Sequence, residues 1–330
     1  MEPHGLTPVA GLHTLRWAKP SEAYPPSLKL RRIPSFNPTF TGGVFSARPT
    51  GSRRRVNRNH GFKVRRPLAT MLPFIRAHDI SLVFQSKNRD PVTAINHLNL
   101  EIANGEFVSI VGPSGCGKST FLNMLLGLLR PDSGELQMDG RTITGPGQER
   151  AMVFQEFGLL PWRTVTANVE LGLELKGIAA GKRTKRAMEL IRLVGLEGFE
   201  RHYPHELSGG MKQRVGLARA LATEPEVLLM DEPFAALDAQ TRDLMQSELL
   251  QIWERTRKTV LFVTHSIEEA AYLSDRVIVM TARPGRTKET LKIQLPRPRD
   301  YEMRLTPEFN EIKARIWEVL KEELMPGSRR

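Results

Sequence analysis

The sequence predicts an α/β fold built around a mostly parallel β-sheet. Short, strongly apolar runs recur along the chain, and helix-like stretches lie between most of them. Such runs are typical of strands that are buried on both faces, as they are in parallel sheets. One run leads directly into a glycine-rich loop and another ends in two carboxylates. We therefore expect a ligand site at the carboxyl ends of these strands.

The organised part of the sequence begins near Ile75. Residues 79–84 and 97–102 alternate apolar and polar side chains, which predicts half-buried strands of a smaller, antiparallel β subdomain. Residues 107–111 form an apolar run rich in β-branched side chains, and a glycine-rich loop and a helical pattern over 120–129 follow it. This order predicts a strand, a loop and a helix.

The rest of the chain divides into further strands and two helical regions. Residues 162–206 contain no comparable apolar run and show helical spacing, which predicts an inserted α-helical subdomain over about 162–215. Thr306 and Pro307 form a helix start signal, so we expect an amphipathic helix and tail over 306–330. The apolar stripe of that helix comprises Phe309, Ile312, Ile316, Leu320 and Leu324. Further buried strands are predicted at 152–154, 227–230, 260–263 and 277–280.

Composition excludes several other classes of protein. The chain has 330 residues, of which 40% are hydrophobic and 25% charged, values that are ordinary for a globular protein with room for two domains. A single cysteine, Cys116, excludes an internal disulfide and a cysteine-cluster metal site. No apolar stretch approaches the roughly 18 residues that a membrane-spanning helix needs. We therefore do not expect the chain to cross a bilayer.

Positive charge is concentrated at the N-terminus. Residues 1–77 carry 14 lysines and arginines and only two acids, which accounts for the whole net charge of +12. This proline-rich stretch shows no periodicity, so we predict a disordered basic extension over residues 1–74. We favour a true translation start near Met71. An organelle transit peptide and a basic arm that binds nucleic acid or anionic lipid are the alternatives. No secretory signal is present in the first 30 residues.

The glycine-rich loop has the sequence of a phosphate-binding loop. Residues 112–119 fit the pattern G-x-x-x-x-G-K-[ST] between a predicted strand and a predicted helix. Backbone N–H groups and the helix N-terminus oppose phosphate charge, Lys118 reaches the β- and γ-phosphates, and the Ser119 hydroxyl ligates Mg²⁺. The residues expected to bind the nucleotide here are Gly112, Pro113, Ser114, Gly115, Cys116, Gly117, Lys118, Ser119 and Thr120.

Two carboxylates follow the apolar run at 227–230. Asp231 and Glu232 are expected at the carboxyl end of a buried strand, where α/β sheets bind ligands. We expect Asp231 to hold Mg²⁺ through water. Glu232 is positioned to orient or deprotonate a water that attacks the γ-phosphate.

A third motif identifies the family. Residues 207–214 read Leu-Ser-Gly-Gly-Met-Lys-Gln-Arg, in which Ser208 and the free N–H groups at a helix start form a second phosphate-binding surface. The P-loop, the Leu-Ser-Gly-Gly signature and the Asp-Glu strand, in this order, resemble the ATP-binding subunits of ABC transporters. The resemblance implies a P-loop NTPase core over 75–305, with ATP as substrate and Mg²⁺ as cofactor.

The resemblance also implies roles for residues outside these motifs. Gln155 matches the glutamine that touches Mg²⁺ and the attacking water, and His265 matches the histidine that contacts the γ-phosphate. Asp238 lies in the loop that crosses to the opposite subunit, and Phe84 falls where an aromatic ring stacks on adenine. Members of this family bind ATP as head-to-tail homodimers. The signature residues that would then face the γ-phosphate held by the other chain are Ser208, Gly209 and Gly210.

Further segments resemble the nitrate, sulfonate and taurine importer branch. These are 232–239, 282–286 (Ala-Arg-Pro-Gly-Arg), 295–300 and 158–162, with Ala235 departing from the glycine usual there. The resemblance implies a peripheral ATPase subunit on the cytoplasmic face of the inner membrane, which drives a separate permease and acts indirectly with a solute-binding protein. The alternative is a non-transport ABC ATPase acting on nucleic acid or ribosomes. Such proteins carry a long coiled coil or two ATPase modules per chain, and neither feature occurs here.

Overall fold

The computed structural model describes residues 73–85 and 90–325. The described residues all belong to one compact unit, Arg66–Arg330. The basic extension predicted over 1–74 therefore lies almost wholly outside the described residues. None of the helices within the described ranges is long and apolar enough to span a membrane.

The strands and helices alternate as the sequence predicts. The described strands are β1 (Ile75–Phe84), β2 (Val92–Ile102), β3 (Phe107–Val111), β4 (Ser133–Met138), β5 (Arg141–Thr142), β6 (Arg150–Val153), β7 (Val227–Asp231), β8 (Thr259–Val263), β9 (Arg276–Met280) and β10 (Thr287–Lys292). The described α-helices are α1 (Lys118–Leu125), α2 (Val165–Leu175), α3 (Ala180–Leu193), α4 (Gly209–Ala222), α5 (Ala239–Thr256), α6 (Ile267–Leu273) and α7 (Pro307–Leu324).

The main sheet has six strands in the order β10-β9-β3-β8-β7-β6. Five of them are parallel, and β10 pairs antiparallel with β9 at one edge. All five residues of β3 and all five of β8 are buried, as the apolar runs predict for central strands. The carboxyl ends of β3, β7 and β8 lie side by side, which brings together the segments that follow them.

A second sheet of four antiparallel strands has the order β2-β1-β4-β5. Helix α1 lies between the two sheets, because its Phe121 and Leu122 pack in one apolar cluster with Ile80 and Leu98 of the small sheet and Ile110 of the large one. Phe121 and Leu122 are both fully buried. The N-terminus of α1 is thereby fixed at the carboxyl end of β3.

The inserted subdomain is helical, as predicted. Helices α2, α3 and α4 pack on one another, and a short 3₁₀ turn, Pro204–Glu206, precedes α4. Helix α4 continues to Ala222, beyond the predicted limit of 215, because its second half is buried against the main sheet. Asn168 of α2 is fully buried and bonds the backbone of residues 160–164, which holds the entry to the subdomain.

Two predicted element ends lie too late in the chain. Helix α1 ends at Leu125 rather than 129, because Gly127 adopts φ +79° and a Cβ atom there would lie 2.0 Å from the Gly145 carbonyl oxygen. Strand β6 ends at Val153, and Phe154 is exposed. Helix α7 starts at Pro307 as predicted, but its apolar stripe is buried only as far as Leu320.

Candidate functional site

The P-loop connects β3 to α1 in a conformation that requires glycine. Gly115 and Gly117 have φ values of +75° and +100°. A Cβ atom at Gly117 would lie 2.9 Å from the Ile95 Cγ1 atom, so the loop also lies too close to β2 for a larger residue. Because the first N–H groups of a helix lack intrahelical acceptors, the start of α1 presents donors to an anion.

Lys118 is held inside the loop. It is only 7% exposed, and its Nζ group donates hydrogen bonds to the carbonyl oxygens of Gly112 at 2.8 Å and Pro113 at 3.0 Å. Cys116 is 1% exposed, and the Lys118 Nζ group also lies 3.8 Å from its Sγ atom. Burial raises the pKa of the Cys116 thiol above its ordinary value. The lysine therefore belongs to the site, and the cysteine side chain fills the space behind the loop.

The end of β7 meets the P-loop. The Ser119 hydroxyl donates a hydrogen bond to Asp231 Oδ1 at 3.0 Å. Burial raises the pKa of the Asp231 carboxyl, and the neighbouring Glu232 carboxylate raises it further. A hydroxyl and a carboxylate in contact form an oxygen donor set suited to Mg²⁺, and a cation there would offset the repulsion between the paired carboxylates. These residues fit a magnesium ion.

Glu232 follows β7 and faces His265, which follows β8. Glu232 has a φ of +45°, a left-handed conformation that is rare for a side chain of this size. Its backbone N–H donates to the Val263 carbonyl oxygen at 2.9 Å, and its Oε2 atom lies 3.1 Å from His265 Nδ1. The pairing of β7 with β8 thus fixes both side chains at one end of the sheet.

Lys118, Ser119 and Glu232 line a cleft of about 250 Å³, and Asp231 and His265 lie next to it without lining it. Phe84 lines this cleft and is 43% exposed, so part of its ring is accessible for stacking. Three of the lining residues, Val92, Ala94 and Arg283, were not predicted from the sequence. The full lining comprises Phe84, Val92, Ala94, Ser114, Gly115, Gly117, Lys118, Ser119, Thr120, Glu232 and Arg283.

The signature residues do not line this cleft. Ser208 caps α4, where its hydroxyl accepts a hydrogen bond from Met211 N at 3.3 Å. Asp238 caps α5 in the same way, and the hydrogen bond from the Thr241 N–H lowers the pKa of its carboxyl. The two caps are adjacent, since a Cβ atom at Gly210 would lie 2.6 Å from Thr241 Cγ2.

Gln155 also lies outside the lining of the cleft. It follows the edge strand β6 and is exposed. Strand β6 pairs in parallel with β7, whose carboxyl end carries Asp231. The glutamine therefore lies at the carboxyl end of the sheet, one strand away from the carboxylates.

Comparisons with known proteins place the chain in a family. The family model described as ABC transporter matches residues 95–235. An uncharacterized ABC transporter ATP-binding protein of Methanocaldococcus jannaschii is 53% identical over 76% of this chain and 92% of its own length. The nitrate import ATP-binding protein NrtD of Synechocystis is 46% identical over 74% of this chain and 93% of its own. The taurine import ATP-binding protein TauB of Rhizobium johnstonii is 45% identical over 74% and 96%.

A solved structure agrees with these sequence relatives. A dimeric ATP-binding cassette in a post-hydrolysis state, bound to ADP and Pi, superposes with a TM-score of 0.60 at 35% identity, over 67% of this chain and all of its own. The chain belongs to the ABC transporter ATP-binding family. It is an ABC ATPase that binds and hydrolyses ATP, as the three motifs predicted.

Proposed function

We propose that the chain is the subunit whose ATP hydrolysis drives import of a small solute of the nitrate, sulfonate or taurine type through a separate membrane permease. Relatives named for nitrate and taurine import, which are 46% and 45% identical over nearly their whole length, support this branch. The observation that carries the ATPase half of the proposal is the cluster at the sheet edge, in which Ser119 bonds Asp231 and Glu232 contacts His265.

Each site residue has its own role in the reaction. The P-loop amides and Lys118 bind the phosphates, and Phe84 stacks on the adenine. Glu232 orients the attacking water and accepts its proton, while His265 and Gln155 contact the γ-phosphate and that water. Phosphoryl transfer of this kind depends chiefly on positioning and on neutralising charge.

Ser119, Asp231 and Gln155 are the residues that would hold Mg²⁺. When bound, the ion neutralises charge on the β- and γ-phosphates. Asp231 would hold the ion through water and would so orient it. The half-buried Asp231 carboxyl, which accepts a hydrogen bond from the Ser119 hydroxyl, supports this assignment.

A second copy completes each site. The cleft does not include the signature residues Ser208, Gly209 and Gly210, or Asp238. They lie at the N-termini of α4 and α5, where they present a hydroxyl, backbone amides and a carboxylate. In a head-to-tail homodimer the signature of one chain would face the γ-phosphate held by Lys118 of the other. The dimeric cassette bound to ADP and Pi supports this arrangement.

In this proposal the dimer is bound peripherally at the cytoplasmic face of the inner membrane. It contacts the permease subunits directly and the solute-binding protein only through them. Nucleic acid is not a partner in this scheme. The relatives' names support an import system. In this proposal the permease and the solute-binding protein determine the specificity for nitrate, sulfonate or taurine.

Purification of the partners tests the proposal. The full chain, and a chain that begins at Met71, serve as bait in detergent extracts of native membranes, and mass spectrometry identifies what is retained. We expect a multi-spanning permease with both baits. Recovery of ribosomes or nucleic acid alone, and only with the longer bait, would overturn the transport role and favour the alternative of a non-transport ABC ATPase.

A further inference from the structure

The loop between β9 and β10 is a tight, internally bonded turn. It spans residues 281–286, the Ala-Arg-Pro-Gly-Arg segment and the threonine before it. The Thr281 N–H donates to the Arg286 carbonyl oxygen at 3.0 Å, and the Thr281 hydroxyl donates to the Pro284 carbonyl oxygen at 2.8 Å. The Arg286 N–H donates to the same hydroxyl at 3.0 Å. The loop therefore holds its own shape.

This loop is fixed against both the P-loop and β2. The Gly285 N–H donates to the Ala94 carbonyl oxygen at 2.9 Å, and the Asn96 N–H donates to the Gly285 carbonyl oxygen at 3.0 Å. A Cβ atom at Gly285 would lie 2.0 Å from the Cys116 carbonyl oxygen, so the two loops are in direct backbone contact. At the other side, the Ala282 N–H donates to Glu323 of α7 at 2.8 Å.

Arg283 extends from this loop into the nucleotide cleft. Its Nε group donates to the Gly115 carbonyl oxygen at 3.2 Å, and its Nη2 atom lies 2.9 Å from the position a Cβ atom on Gly115 would take. The side chain lines the cleft together with Lys118 and Phe84. In the part of the chain that the structure describes, its two Nη groups have no hydrogen-bond acceptor.

We propose that Arg283 is a nucleotide-binding residue that contacts the phosphate chain of ATP. This inference rests on the nucleotide site proposed above. An arginine uses one donor to fix its position on the P-loop and keeps four N–H groups for an oxyanion, which a guanidinium recognises in paired hydrogen bonds. Lys118 is buried within the loop, so Arg283 supplies the second cation, at the open side of the cleft.

The expected effect is moderate, because Arg283 is exposed and water screens its charge. We expect Arg283→Ala to weaken ATP binding about threefold to tenfold, below the full value of a charged hydrogen bond. Arg283→Gln should behave like Arg283→Ala, Arg283→Lys should recover part of the affinity, and Arg283→Glu should lose more than either. Only a role that depends on positive charge produces this order.

Competition against a fluorescent ATP analogue tests the proposal on the full chain, with ATP and adenosine as the competing ligands. Arg286→Ala is the matched control, because Arg286 is exposed on the same loop and does not line the cleft. We expect Arg283→Ala to lose affinity for ATP but not for adenosine, and Arg286→Ala to lose neither.

Two results would overturn the proposal. One is an unchanged ATP affinity in Arg283→Ala. The other is an equal loss for ATP and adenosine, which would mean that Arg283 only supports the shape of the P-loop. A Lys118→Ala variant tests the location of the nucleotide site separately. It should lose ATP binding whether or not Arg283 contacts the phosphates. If Lys118→Ala bound ATP normally, the nucleotide site itself would be misplaced, and this inference would fall with it.

Discussion

The P-loop region and the signature region of this protein carry similar chemical groups in different surroundings. Around the P-loop, side chains from three strand ends converge on one cleft, and Ser119 and Asp231 are in hydrogen-bonding contact. In the signature region, Ser208 and Asp238 satisfy their polar atoms by capping their own helices. The first region can bind a nucleotide from groups within one chain. The signature residues of the second region lie outside that cleft.

The largest expected effect comes from a variant of the P-loop region that stops ATP hydrolysis but keeps ATP binding. Glu232→Gln removes the base but preserves the shape of the side chain and its reach to His265. We expect kcat to fall by about 10²- to 10⁴-fold, because general base catalysis contributes about that much, while ATP affinity is retained. Steady-state hydrolysis and equilibrium nucleotide binding measure the two separately. Near-normal turnover would show that another group activates the water.

A second variant tests the link between the P-loop and β7. Asp231→Asn removes the charge that accepts the Ser119 hydrogen bond, so we expect the Mg²⁺ concentration for half-maximal hydrolysis to rise about 10- to 100-fold. A titration of activity against Mg²⁺ at saturating ATP measures this. The control is Asp243→Asn, a carboxylate that pairs with Arg304 away from the cleft. An unchanged Mg²⁺ requirement in Asp231→Asn would contradict the assignment.

A third variant tests whether the signature region acts only in the dimer. Ser208→Ala should leave ATP binding to the P-loop unchanged, lower hydrolysis about tenfold and weaken ATP-dependent dimerisation, since the hydroxyl would face a phosphate on the other chain. Light scattering with and without ATP measures dimerisation. The same substitution also removes an N-cap, which costs about 1 kcal/mol of stability.

Thr164→Ala is the matched control for the stability lost when an N-cap is removed. Thr164 caps α2 through a hydrogen bond from the Ala167 N–H at 3.3 Å, the same distance as in the Ser208 cap. We expect it to lower the unfolding temperature by a similar amount and to leave hydrolysis unchanged. If both variants lost activity in parallel, the loss would come from helix stability, and Ser208 would have no contact with ATP.

The sequence predicted the P-loop region well because its signals are local. A strand, a glycine-rich loop and a helix follow one another directly, and Asp231 follows an apolar run that is typical of a buried strand. The end of α1 was predicted too late because Gly127 approaches Gly145, a contact between segments that are not adjacent in sequence. Arg283 was missed for the same reason. Its place in the cleft depends on the bridge between Gly285 and Ile95, which only tertiary structure reveals.

The smallest expected effect concerns the inner side of the P-loop, where the side chain of Cys116 lies. A Cβ atom at Gly112 would lie 2.8 Å from the Cys116 Sγ atom, so the sulfur occupies tightly packed space. We expect Cys116→Ala to change ATP affinity by less than about twofold and to lower stability by about 1 kcal/mol, since one buried group is lost. Competition binding and urea unfolding measure these changes.

Chemical labelling independently tests whether the Cys116 side chain is packed behind the P-loop, because Cys116 is the only cysteine in the chain. Burial limits access to the thiol and raises its pKa, so little reactive thiolate is present at neutral pH. We expect alkylation of the folded protein to be much slower than that of the urea-unfolded chain. Once the thiol is labelled, the added group cannot fit behind the loop, so ATP binding should be lost and MgATP should slow the labelling further. Rapid labelling that leaves ATP binding intact would show that the sulfur faces solvent and that the loop does not pack as described.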